Sequence, residues 1–288
     1  MAALQDAPSL VTTWEGFLYI NPDHELLAAG NVPYYQLLFD ELCYPDSSLN
    51  KQIVVEQDVY SVSLSSMSSC LALMYTTRDG RLWEYGSLTS KTGGDEARHI
   101  MDDVHTVAVG YNHALALRTD GSLWGWGYFN GERADTPVKL AEDVFATTDC
   151  SFLKRDGTLW LLCEYSDANA GSGLAGVTPQ KILDDVAFIA RTSAVQNDGT
   201  VWYWEESASP IPQKVSTGAA ACGQDYVITW DNRLIYWLGG FGTDETVEIA
   251  DDAVYAVKTS DLSTDSVKDA FVVLNKAGEL VICYTESE

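Results

Sequence analysis

The dipeptide Asp120-Gly121 constrains this chain more than any other feature, because of what flanks it. It lies inside Ala114–Gly127 (ALALRTDGSLWGWG), between two apolar runs. A two-residue type I′ hairpin needs positive φ at both central positions, and Asp-Gly is among the pairs that supply it. The spacing therefore predicts a strand over Ala114–Leu117, a tight turn, and a second strand over Leu123–Gly127. Neither strand alternates apolar with polar residues. Leu115 and Leu117 point one way and Ala114 and Ala116 the other, while Trp124 and Trp126 oppose Leu123. A strand that is apolar on both faces belongs to a sheet covered on both sides.

Six more copies of this hairpin follow the same plan, a turn and then an apolar aromatic strand. They are Asp23-His24 before Leu26–Gly30, Asp79-Gly80 before Leu82–Gly86, and Asp156-Gly157 before Leu159–Leu162. The others are Asp198-Gly199 before Val201–Trp204, Asp231-Asn232 before Leu234–Trp237, and Ala277-Gly278 before Leu280–Cys283. The mean step between turns is about 42 residues, within the range of a four-stranded propeller blade. A second element precedes the hairpins: Ile100–Val104 (IMDDV), Leu140–Val144 (LAEDV), Ile182–Val186 (ILDDV) and Ile249–Ala253 (IADDA). Pro137, Pro179 and Pro212 introduce it, as suits an edge strand, where a missing donor does least harm. The cycle is edge strand, acidic turn, inner strand, loop, second strand, Asp-Gly turn, third strand, loop.

The expected fold is all-β: a seven-bladed β-propeller of four-stranded antiparallel blades, forming one domain over 1–288 with an insertion at 31–50. A linear array would need polar caps, and neither end offers one, so a closed ring is expected. The last repeat runs out at its third strand, Leu280–Tyr284, and Ala2–Gln5 is the expected donor of its outer strand. Within the insertion, Tyr34–Leu42 (YYQLLFDEL) has helical spacing after Pro33 and predicts a short helix.

This cycle resembles the regulator-of-chromosome-condensation repeat family, especially its bacterial propellers. The resemblance rests on Asp102-Asp103-Val104, Val107–Gly110, His113–Leu117 and Asp120–Gly127. It is strongest in the third repeat and thin in the first, sixth and seventh, and Gly110 and His113 have no clear counterparts in the fourth to sixth. The resemblance implies a seven-bladed propeller used as a binding platform. It does not imply one partner, since the family includes a nucleotide-exchange factor for a small GTPase and inhibitors of β-lactamase.

Charge narrows the partners. Lys and Arg number 17 against 42 Asp and Glu, a net charge of −25. Such a field repels phosphate backbones and anionic lipid, which argues against nucleic acid and the membrane surface. No apolar run is long enough to span a bilayer, and residues 1–10 lack a secretory signal. The compartment stays open: extracellular in a bacterium if a leader precedes Met1, otherwise cytoplasmic. The cysteines at 43, 70, 150, 163, 222 and 283 form no Cys-x-x-Cys pair and do not cluster with the four histidines, so zinc is not signalled. Cys163 and Cys283 fall at equivalent third-strand positions and read as small buried apolar residues. No cofactor is implied.

In a four-stranded meander, alternate turns emerge at opposite ends. One end gathers the acidic turns and the Asp-Gly turns, where Asp is explained by its bonds to its own backbone. The other end gathers the 1–2 and 3–4 loops, with Tyr34, Tyr35, Tyr111, Asn112, Tyr128, Phe129, Asn130, Tyr165, Gln224, Asp225 and Phe241. Large stiff rings with a polar rim are the composition of a protein-binding surface, although the same rings could instead cap the channel. The serine-rich Ser61–Ser69 reads as channel lining and loop polarity, and His113 as a structural loop residue. No Ser/His/Asp set or carboxylate pair converges, so no catalytic residue is assigned. The resulting expectation is a non-enzymatic, monomeric platform for a protein partner. The alternatives are a carbohydrate-binding propeller, stacking the same rings on sugars, and a lyase or hydrolase in the channel.

Overall fold

The computed structural model describes residues 10–12, 15–31, 52–64, 72–86, 88, 97–110, 112–129, 132–162, 178–206, 210–260 and 269–285. Every regular element among them is a β-strand. Blade one comprises Leu10–Thr12, Glu15–Ile20, Leu26–Asn31 and Gln52–Glu56; blade two Val59–Leu64, Ala72–Thr77, Leu82–Gly86 and Arg98–Met101. Blade three has Val104–Val109, His113–Arg118, Leu123–Phe129 and Glu132–Ala141; blade four Val144–Thr147, Ser151–Lys154, Leu159–Leu161 and Gln180–Leu183. Blade five has Val186–Ile189, Ser193–Gln196, Val201–Tyr203 and Gln213–Ser216; blade six Ala219–Cys222, Tyr226–Thr229, Leu234–Trp237 and Thr246–Ala250. Blade seven shows three strands, Ala253–Ser260, Asp269–Asn275 and Leu280–Tyr284. The protein is therefore all-β, of the seven-bladed β-propeller class. The proposed outer-strand donor Ala2–Gln5 and the helix at Tyr34–Leu42 lie outside the described residues.

The repeated turn is present in all seven blades, with a geometry different from the one expected. Positive φ falls on the second turn residue alone, at His24, Gly80, Gly121, Gly157, Gly199, Asn232 and Gly278. In blade three the Gly121 N–H donates to Arg118 O and the Arg118 N–H to Ser122 O, at 3.0 and 2.9 Å. That is a three-residue loop, a type I turn closed by a left-handed residue, and not a two-residue type I′ turn. The aspartate before the glycine needs no unusual backbone because it acts through its side chain. Asp120 Oδ1 accepts from the Ser122 N–H and hydroxyl at 2.8 and 2.6 Å. The Trp124 indole N–H then donates to Ser122 Oγ at 2.9 Å, which explains the aromatic residue two places further on. Blade four repeats the set with Asp156, Thr158 and Trp160.

The hairpin turns of blades one to six are also joined to the next blade. The backbone N–H groups of Val59, Val104, Val144, Val186, Ala219 and Ala253 donate to the carbonyls of His24, Gly80, Gly121, Gly157, Gly199 and Asn232, at 2.8–3.2 Å. The donors open the first strand of their blades, just after the acidic turn or, for Ala219, after Thr217-Gly218. The acidic turns themselves bend through positive φ at Asp58, Asp103, Asp143 and Asp185, a conformation that Asp tolerates better than most residues.

The chain divides into two compact units, Met1–Asp149 with Gly171–Val177, and Cys150–Ala170 with Thr178–Glu288. In the first, Leu18, Leu26 and Ala28 of blade one pack on Val59, Leu73 and Tyr75 of blade two. Met74 and Leu82 of blade two pack in turn on Val104, Ala114 and Ala116 of blade three. In the second, Val195 and Val201 meet Ala219, Cys222 and Val227, and Tyr226, Ile228 and Leu234 meet Ala253, Phe271 and Val273. Both faces of blades two and six are thus covered by their neighbours, as their unalternating strands require. The fourth strands of blades two, four and five are the exposed edges, each open at its first two residues.

Candidate functional site

The loops between first and second strands are built on one recurring contact. In blade three the Gly110 N–H donates to His113 O, and His113 Nε2 reaches the carbonyl of Asp149 at 2.6 Å. A carbonyl only accepts, so Nε2 carries the proton. In blade six the Gly223 N–H donates to Tyr226 O, and the Tyr226 hydroxyl donates to Ala256 O in blade seven. Blade five does the same on a smaller scale, with Ala190, Ser193 and a 3.0 Å bond from Ser193 Oγ to Gly223 O. Counterparts of Gly110 and His113 therefore do exist in repeats five and six, contrary to the sequence expectation. The residue type changes while the task, a side-chain bond to the next blade's backbone, does not. His113 is structural, as expected.

The serines of blade two serve similar ends. Ser61 Oγ shares a hydrogen bond with Thr76 Oγ1 at 2.7 Å, and Ser63 Oγ accepts from the Val109 N–H at 2.9 Å.

Two of the expected site residues meet in the second unit. Asp225, in the 1–2 loop of blade six, accepts from the Phe241 N–H, in the 3–4 loop, at 3.1 Å. The Phe241 ring lies 5.3 Å from Trp237 and 5.8 Å from Tyr203, so three half-buried rings form one cluster. Beside it Lys258 Nζ donates to Tyr236 Oη at 2.9 Å, lies 3.3 Å from Asp269 and reaches Asp225 at 4.0 Å. The Tyr236 hydroxyl donates to Asp269. Burial opposes the Lys258 charge, yet the Tyr236 and Asp269 contacts outweigh it and hold the ammonium above its ordinary pKa. Burial, reinforced by Asp269, pushes the Tyr236 phenol up as well. The corner thus presents a fixed ammonium and a neutral phenol at neutral pH, which suits recognition and gives neither a free amine nor a phenolate.

Lys258, Tyr236, Asp269, Tyr203 and Trp237 were not singled out in the sequence as site residues. Tyr236 occupies the place that Gly125 holds in blade three, and that substitution was the available signal.

Of the other expected residues, Asn112 lies between the first two strands of blade three, its carbonyl close against Gly127. Tyr128 and Phe129 are strand residues and not loop residues: the third strand runs on to Phe129, paired Tyr128 with Arg133 and Phe129 with Glu132. Gln224 is exposed. Tyr34, Tyr35, Tyr111, Asn130 and Tyr165 lie outside the described residues. Cys150 and Cys222 are buried, and burial pushes the Cys222 thiol up to about 12. Cys283 is half-buried, and Cys43, Cys70 and Cys163 lie outside the described residues. Among the described residues no group of His, Cys, Asp and Glu could hold a metal ion.

At the opposite ends of the blades the turn aspartates are held by their own loops. Asp79 is lowered to about 2 by its bonds to Arg81 and Thr77, and Asp120, Asp156 and Asp198 are lowered by Ser122, Thr158 and Thr200.

Residues 104–132 match the family model of the regulator of chromosome condensation (RCC1) repeat. No curated protein matches the chain. Among solved structures it is similar to that of Kap60 bound to yeast RCC1 (Prp20), at 13% identity and a TM-score of 0.57 over 81% of this chain and 70% of that one. It is similar to human WBSCR16, at 16% identity and a TM-score of 0.54 over 74% of this chain and 69% of that one. U3-55K matches at 13% identity and a TM-score of 0.54, over 96% of this chain and 94% of that one. At such identities the likeness speaks for the fold. With the repeat match, it supports a repeat propeller of the RCC1 type.

Proposed function

We propose that this chain is a non-enzymatic platform for a protein partner, bound at the loop ends of the blades. The observation that carries this reading is the corner of Asp225, Phe241, Trp237, Tyr203 and Lys258. Three rings are gathered there, a carboxylate fixes the loop that bears one of them, and a fixed ammonium stands at the rim. Aromatic anchors within a polar rim commonly dominate binding between proteins. The opposite ends offer less, because their aspartates are engaged in turn geometry. Proteins of similar fold are described with protein partners: one matching structure holds Kap60 bound to Prp20, and another concerns the binding of Prp20p to Gsp1p and histones. Tyr128, Phe129 and Asn112, at the corresponding end of the strands of blade three, are carried into the proposal.

The test compares Phe241→Ala and the pair Tyr128→Ala, Phe129→Ala with a control carrying Asp102→Asn and Asp184→Asn. Partners are captured from the native source and identified by mass, and each variant is melted alongside. The aromatic variants should lose the partner while keeping their melting temperature. A partner kept by the aromatic variants and lost only by the control would place the contact at the wrong ends of the blades. A glycan array on the same variants separates a sugar ligand from a protein one.

A further inference from the structure

A cleft of about 550 Å³ opens in the first unit, between the last strand of blade one and the turns of blade two. That volume lies in the range of small-ligand sites. Glu56, Asp58, Tyr75, Arg78, Asp79, Arg81 and Trp83 are among the residues that line it. Glu56 is half-buried and both of its oxygens are engaged: Oε2 accepts from the Tyr75 hydroxyl at 3.1 Å and Oε1 from the Gln57 N–H at 3.0 Å. These neutral donors fix the carboxylate but leave its charge unbalanced. No lysine, arginine or histidine pairs with Glu56 among the described residues, although two arginines line the same cleft. Arg81 is committed to Asp79 by a forked contact. Two aromatic residues are part of the lining: Trp83, and Tyr75, which is only 3% exposed and stacks on Tyr85 with centroids 6.0 Å apart.

A half-buried carboxylate held in place without a cation, in a cleft that two aromatic side chains help to line, matches a specific kind of guest. We propose that the cleft binds an organic cation, a guanidinium or alkylammonium group on an apolar stem, with Glu56 as its counter-ion and Tyr75 and Trp83 along the stem. Guanidinium suits the site best, since it is weakly hydrated, bonds carboxylates through a planar fork and lies well against aromatic faces. The net charge of −25 enriches cations around the molecule. This site is separate from the loop-end corner, and the two proposals stand or fall independently.

The experiment titrates the full chain with N-acetyl-L-argininamide by calorimetry, with the neutral isostere N-acetyl-L-citrullinamide as control. Argininamide should bind saturably, and citrullinamide at least about tenfold more weakly, as expected when a desolvated charge contact is lost. Glu56→Gln keeps an acceptor for Tyr75 and should lose about tenfold in affinity for argininamide. Trp83→Leu leaves Glu56 untouched and should weaken binding several-fold, so the proposal remains testable if the first variant folds poorly. A glycine-flanked arginine peptide that binds more tightly than argininamide assigns the cation to a partner chain, and equal affinity assigns it to a free small-molecule cation. Absent saturation, equal binding of citrullinamide, or wild-type affinity in both variants overturns the proposal.

Discussion

Gly223 is the position at which one methyl group should do the most damage to the contacts between blades. Its φ lies outside the left-handed region, so the backbone itself would accept alanine. The obstacle is the Tyr226 ring, whose Cζ, Cε1 and Oη lie 2.1, 2.2 and 2.4 Å from an added Cβ. Real Cβ atoms do not approach so closely, and the ring is rigid and buried, so it must leave its place. Moving it breaks the bond to Ala256 O and strands a buried carbonyl, at a cost of about 1–3 kcal/mol. It also removes the perpendicular contact with Phe271, at 5.6 Å between centroids, which contributes about 0.5–1.5 kcal/mol. Gly223→Ala should therefore destabilise the protein by about 2–4 kcal/mol, a fall in melting temperature of roughly 5–10 °C.

The assay is a double-mutant cycle read by denaturant midpoints. Tyr226→Ala alone should cost about 3–5 kcal/mol. In that background the space beside Gly223 is empty, and Gly223→Ala should be neutral or gain up to about 1 kcal/mol. An equal cost of Gly223→Ala in the two backgrounds would refute the close-packed account of this loop.

Four further outcomes follow from the same structure. Gly121→Val should cost about 1–3 kcal/mol because φ there is +84°, whereas Gly121→Asn should cost less than about 1 kcal/mol, since Asn232 holds the same turn position at 71°; equal midpoints would count against the turn assignment. Arg98→Ala should destabilise by about 1–3 kcal/mol because it strands the Glu84 carboxylate, only 1% exposed, and adding Glu84→Gln should restore most of the loss in chemical denaturation. Burial lowers the His105 pKa, so the folded state prefers the neutral ring and its contribution is present above pH about 6.5 and lost as pH falls through the lowered value. Stability should decline between pH 7 and 5, less steeply in His105→Leu. A separate loss at lower pH should follow as the turn aspartates, Asp79 at about 2 among them, take up protons.

The periodicity of Asp-Gly and the apolar runs made the blades legible, because hairpin chemistry and two-sided burial are both local in sequence. The turn type was misread for a physical reason: Asp120 bonds through its side chain to Ser122, so it needs no positive φ, and the loop is three residues long. The inter-blade bonds were partly hidden because histidine, serine and tyrosine perform one task at equivalent positions, and a pattern search sees only residue identity. The corner around Lys258 was the least legible. Its members come from three blades, and only Asp225 and Phe241 carried a recognisable loop character. Tyr128 and Phe129 looked like loop residues because pairing with Glu132 and Arg133 depends on the partner strand and leaves no trace in composition.

The bond from a hairpin carbonyl to the first N–H of the following blade, seen for blades one to six, has a consequence for how such a chain can change. Donor and acceptor are both main-chain atoms, so the joint is indifferent to side-chain identity and only proline at the donor position removes it outright. Every described joint is thereby interchangeable with every other. Repeats can be duplicated, shuffled or diversified at their free ends while the coupling between modules is inherited unchanged, and surface specificity can drift without any revision of the scaffold beneath it.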